Sequence, residues 1–211
     1  NWILTAKGKM SKLFKGKLGN ECSSQDDWKS MSFRSIAQAL GKRWFLRTAH
    51  HEPTLVKLPA QSIRTQRVLV LLPEDELEYR RAVQQKNLNS LQALFPQARL
   101  QLIKQKSLLP ATIIPCKEWD PTELDYRGLP SREMKKRLLS ESFDIVLYLS
   151  LSFAFINLVL AHQAKAPIKI GFADPQREKT HNFIISFSIS PSWDQAFDVL
   201  CRKVSGSVAK D

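Results

Sequence analysis

The sequence predicts a three-layer α/β domain of Rossmann-like type with a mainly parallel sheet, preceded by a basic helical arm. Three observations carry this reading. From Val68 onward, short runs of valine, leucine and isoleucine alternate with segments of helical periodicity. Those runs are continuously apolar, as in strands covered on both faces, and strands alternating with helices imply right-handed crossovers. The cations crowd at the front: residues 1–67 hold thirteen Lys and Arg against Glu21, Asp26, Asp27 and Glu52, so +9 of the net +12 lies there. The expected division is an arm over 1–66 and an α/β domain over 67–211.

Within the arm, Ile3, Ala6, Met10, Leu13, Phe14 and Leu18 fall near helical spacing, with Lys7, Lys9, Lys12, Lys15 and Lys17 over much of the remaining surface. That pattern predicts a short basic amphipathic helix. A second helix is expected from Ser32, a candidate N-cap, through Ile36, Ala39 and Leu40 to Trp44, with Gly41 weakening its last turn. The domain then opens on the strand Val68 to Leu72. A helical pattern through Leu77, Val83, Leu88, Leu91, Leu94 and Phe95 ends at Pro96. Leu100 to Ile103 reads as a second strand and Ile113–Ile114 as a weak third, within a stretch from 105 to 130 broken by Pro110, Pro115, Pro121, Gly128 and Pro130. Ser131 to Leu139 is a helix capped by Ser131, with Glu133 early and Lys135, Lys136 and Arg137 late, as the helix dipole favours. Phe143 to Leu149 is the clearest strand and is followed by a helix over Phe153 to His162. Strands at Ile168–Phe172 and Phe183–Phe187 and a closing helix from Trp193 to Val204 complete the chain.

Several chemistries find no support in the residues. Cys22, Cys116 and Cys201 lie far apart with no CxxC, so neither a disulfide framework nor a cysteine zinc site is indicated, and a reducing, cytoplasmic setting fits. His50, His51, His162 and His181 form no HExxH, so no metal is expected. Neither GxGxxG nor GxxxxGK[ST] occurs, and no cofactor is expected. The opening lacks the features of a secretory signal, and the apolar run from Ile145 to Ala161 is interrupted by Ser150, Ser152 and Asn157 and falls short of a membrane span. Ser150 and Ser152 follow the clearest strand without a G-x-S-x-G elbow, which makes them helix-capping residues before nucleophiles.

What remains points to polyanions. Lys42, Arg43 and Arg47 surround Trp44 and Phe45, the mixture of cations and flat rings that takes phosphates and stacked bases. The two rings serve equally well to dock the arm on the core, and sequence leaves both readings open. The loop holding Asp174, Arg177, Lys179, His181 and Asn182 lies beyond the carboxyl end of a strand and is the best place in the domain for a polar ligand.

The segments FDIVLYLS and LVLAHQAKAPIKIGFADPQREKTHNFII, from Phe143 to Ile185, resemble the second half of the N-terminal domain of the heptosyltransferases of glycosyltransferase family nine. A family of short proteins from Bacteroidota, consisting of a basic helical arm and this half-domain, is more similar still. Its "GFA" after the fifth strand and later asparagine correspond to Gly171, Phe172, Ala173 and Asn182. The resemblance covers roughly 32–205. It implies a Rossmann-like fold, and for the transferase a Gly-Asp pair after the first strand whose Asp acts as base. Here Leu72-Pro73-Glu74-Asp75-Glu76 stands in that place, without the glycine and with three acids that repel phosphate, leaving Asp75 as the sole remnant of such a base. The second, sugar-nucleotide-binding domain of that family is expected to have no counterpart. The expected function is therefore a non-enzymatic, RNA-associated protein, bound to a ribosome or another ribonucleoprotein through Lys7, Lys9, Lys12, Lys15, Lys17, Lys42, Arg43, Trp44 and Arg47, with protein partners in such an assembly. The alternatives are a peripheral protein with Trp2, Ile3, Leu4, Met10, Leu13 and Phe14 in the membrane interface and the arm lysines on anionic headgroups, and a glycosyltransferase-like enzyme or its degenerate relative.

Overall fold

The computed structural model describes residues 33–49, 66–108, 115–174 and 180–206. Six strands form one all-parallel sheet: β1 (Arg67–Leu71), β2 (Arg99–Gln105), β3 (Cys116–Trp119), β4 (Ile145–Tyr148), β5 (Ile168–Phe172) and β6 (Phe183–Ile185). Their spatial order is β3-β2-β1-β4-β5-β6, so the direction of winding reverses between β1 and β4. Crevices for ligands in open α/β sheets lie at that reversal, outside the carboxyl ends of the strands.

Six α-helices are described: α1 (Phe33–Thr48), α2 (Glu76–Ala82), α3 (Gln85–Leu94), α4 (Arg132–Leu138), α5 (Phe155–Gln163) and α6 (Trp193–Gly206). Successive strand residues face opposite layers. Val68, Val70, Ile145, Leu147, Ile168 and Ile170 point into one core with Tyr79, Leu88, Leu91, Phe197 and Leu200 from α2, α3 and α6. Leu69, Leu71, Val146 and Tyr148 point into the other, with Phe45, Met134, Leu138, Leu158 and Val159 from α1, α4 and α5. Both faces are covered, which is why the strands carry no polar alternation.

By its contacts the chain separates into Asn1–Ile36 and Ala37–Asp211. Of the first unit only residues 33–36, the opening turn of α1, are described. The rest of α1 belongs to the α/β body, and Gly41 does not end the helix, which continues to Thr48. Three further expectations change in detail. The single helix through Phe95 is two, because the chain breaks at Val83 and Gln84. The third strand lies at Cys116–Trp119, while 113–114 fall outside the described residues. Ser131 does cap α4, its Oγ accepting from Met134 N at 3.1 Å, but the N-cap residue of α5 is Ala154, with no side-chain cap, so neither Ser150 nor Ser152 is the N-cap.

Candidate functional site

Polar and charged side chains gather in two regions, the crevice between β1 and β4 and the outward face of α1. At the crevice, the turn after β1 brings Glu74, Asp75, Glu76 and Glu78 to the carboxyl end of the sheet. Asp75 caps α2, its Oδ1 accepting from Leu77 N and Glu78 N at 3.0 Å each, and Glu76 pairs with Arg80 on the next turn. Glu78 reaches across to the loop after β4, where its carboxylate accepts from Leu151 N at 2.9 Å and Ser152 N at 3.0 Å. Glu74 accepts from Asn157 N at 3.2 Å, in the first turn of α5, while Asn157 Nδ2 donates to Leu72 O at 2.7 Å. Backbone N–H groups at a helix start are what a phosphate would use. Here the chain's own carboxylates take them.

Burial pushes the Glu74 carboxyl up to about 7, an effect the Asn157 N–H partly offsets. A proton acceptor poised near neutrality is the property of a general base, yet no described nucleophile is hydrogen-bonded to Glu74, and its geometry is that of a tie between the turn after β1 and the start of α5. Sequence reasoning weighed Asp75 and missed Glu74. The available signal was position: Glu74 is the first acid after a strand buried on both faces, at the point where winding reverses. Among the described residues, no group of three or more His, Cys, Asp or Glu is placed to hold a metal.

The two rings of α1 divide the roles that sequence left open. Phe45, 4% exposed, meets the Phe155 ring edge-on at 5.8 Å between centroids and the His162 ring at 5.4 Å. It docks the helix. Trp44, one residue earlier and about 100° around the helix, is 56% exposed. Leu40, Arg43, Trp44 and Arg47 follow i, i+3, i+4 and i+7 spacing on the face turned from the sheet. Neither Arg43 nor Arg47 forms an ion pair with a described residue. Lys42 lies on the flank, its Nζ 4.7 Å above the Phe153 ring and 5.7 Å from that of Phe155. The structure therefore brings Arg43, Trp44 and Arg47 together and sets Lys42 apart. Lys7, Lys9, Lys12, Lys15 and Lys17 lie outside the described residues.

The loop after β5 is partly described. Arg177 and Lys179 lie outside the described residues, and Asp174 is at the edge of the segment. His181 is buried, its Nδ1 2.8 Å from Thr180 Oγ1, its ring edge-on to Tyr148 at 5.4 Å and packed against Gly171, where an added Cβ would come within 3.0 Å of it. Asn182 clasps the start of β5: its Oδ1 accepts from Lys169 N at 2.7 Å and its Nδ2 donates to Pro167 O at 2.6 Å. Both side chains are committed to the fold. No described helix is long and apolar enough to cross a membrane. Set against protein-family models, curated proteins and solved structures, the chain matches none.

Proposed function

We propose that this chain is a non-enzymatic RNA-associated protein, working on a ribosome or similar ribonucleoprotein, with α1 and the basic residues before it as the grip and the α/β body as the platform. The observation that supports it most is Trp44: a large ring more than half exposed, between Arg43 and Arg47, neither of which forms an ion pair with a described residue, on a helix docked by the adjacent Phe45. A ring kept out of the core beside cations is suited to bases and phosphates. The crevice between β1 and β4 weighs in the same direction, because Glu74 and Glu78 occupy the N–H groups that a nucleotide's phosphates would need. A second reading has one observation behind it: Leu40, 44% exposed beside Trp44, gives the same face an apolar character that suits the interface of an anionic membrane.

Binding of the full chain to a ribosomal RNA fragment, measured across salt concentrations, tests the proposal. Tight binding at low salt that weakens steeply as salt rises is the expected result. Absence of binding at low salt, or affinity unchanged by salt, removes the RNA reading; flotation with anionic vesicles under the same conditions then supports the membrane.

A further inference from the structure

We propose that α1 and the turn at Asp125–Gly128 form one platform that stacks unpaired nucleobases, so that the RNA held is single-stranded. The inference rests on the RNA reading above and adds to it both a second aromatic residue, Tyr126, and a class of RNA. Its starting point is where exposed apolar bulk lies. The large hydrophobic side chains exposed among the described residues are Leu40, Trp44, Leu77, Tyr126 and Ile189. Three of them, Leu40, Trp44 and the 67% exposed Tyr126, belong to α1 and the turn packed against it.

That packing is tight. A Cβ on Gly41 would lie 2.4 Å from Arg127 O and 2.7 Å from Arg127 Cβ, and one on Gly128 would lie 3.1 Å from Gln38 Cγ. Glycine at 41 lets the turn touch the helix backbone, and glycine at 128 supplies the φ of +73° that closes the turn. Asp125 fixes the turn's shape: its Oδ1 accepts from Arg127 N at 2.8 Å and Leu129 N at 3.0 Å, and its Oδ2 accepts from the Arg127 guanidinium at 2.9 and 3.1 Å. Tyr126 is thus presented on a rigid loop, with the Arg127 guanidinium 5.6 Å from its ring centre.

Trp44 is three residues from Gly41, and Tyr126 is next to Arg127. Their Cα atoms are therefore at most about 14 Å apart, a span of roughly four stacked nucleotides at about 3.4 Å each. Arg43 and Arg47 flank the first ring and meet the charge of the strand that crosses them. Rings that stand exposed engage base faces, and base faces are available only where bases are unpaired. A duplex offers these rings nothing but its backbone.

The test compares binding of the full chain to a labelled uridine oligonucleotide and to an RNA duplex of equal length, at one low salt concentration. The expected result is tighter binding of the single strand, with Trp44→Ala and Tyr126→Ala each weakening it about tenfold and leaving duplex binding unchanged. Trp44→Phe, which keeps a ring, recovers most of the loss. Both side chains are exposed, so an unaltered melting temperature shows that the variants fold. Equal losses on both RNAs, or single-strand binding indifferent to both variants, overturns the platform and leaves the RNA reading standing. Failure of the native chain to bind either RNA overturns both. Vesicle binding abolished by Trp44→Ala while RNA binding persists assigns the surface to lipid and overturns the platform.

Discussion

Glu74 ties its protonation to the stability of the body. Its folded pKa of about 7 stands above the ordinary 4.5, so the native state holds this proton more tightly than the unfolded chain does. The stability it contributes is complete below about 4.5 and is lost progressively as pH rises to about 7, at most about 3 kcal/mol by linkage. Urea titrations at pH 5 and pH 8 check this. The native chain is expected to lose stability over that interval and Glu74→Gln to lose measurably less. Tyr148 gives a second test, since its hydroxyl donates to Ala154 O and accepts from Ala154 N, both at 3.0 Å and both buried. Tyr148→Phe orphans the buried Ala154 N–H, whereas Ala154 O keeps its bond from Leu158 N, and is expected to lower stability by about 1–3 kcal/mol in the same titration. These roles were poorly legible in the sequence. A hydroxyl that closes a turn six residues away, or a glutamate buried by neighbours more than eighty residues further on, leaves no local pattern. Asn182 was legible as a residue of note and misleading as to why: it ties β5 to its own approach.

At the scale of elements, periodicity served where burial was complete and failed where two elements meet end to end. The strands at β1, β4 and β5 were plain because each is apolar throughout, a pattern that requires cover on both faces. The break between α2 and α3 was not, because apolar residues continue across the interruption, and Val83 and Leu88 on either side of it are buried in the same core. The third strand carries Lys117 and Glu118 at the sheet edge, so it lacks the apolar run used to find strands. For α1, sequence identified the helix, the two rings and the cations, and left unsettled which ring faces inward. Packing decides that, through Phe155 and His162. Phe45→Ala is accordingly expected to destabilise the body by about 3–5 kcal/mol, whereas Trp44→Ala changes stability by less than about 0.5 kcal/mol; thermal unfolding of the two variants compares them directly. Gly41→Ala forces Arg127 away from α1 and is expected to lower stability by about 1–3 kcal/mol, with reduced RNA affinity because the turn carrying Tyr126 moves.

For the whole molecule, topology and charge were both accessible from sequence, topology through the alternation of elements and charge by counting. The all-parallel sheet with its reversal between β1 and β4 is the arrangement that elsewhere cradles nucleotides, and here Glu74 and Glu78 take backbone N–H groups at that crevice. What the fold keeps open is the outward side of α1. On the proposed function, cations at the front of the chain, continuing onto Arg43 and Arg47, hold phosphates while the body contributes position. The most direct measurement is the slope of log affinity against log salt for the full chain and an RNA oligonucleotide. About five phosphate contacts give a slope near −3.5 and a loss of about 100-fold between about 50 and 200 mM salt. An Arg43→Ala, Arg47→Ala double variant is expected to flatten that slope by about 1.4. A native slope near zero, or one that the double variant leaves untouched, contradicts the account.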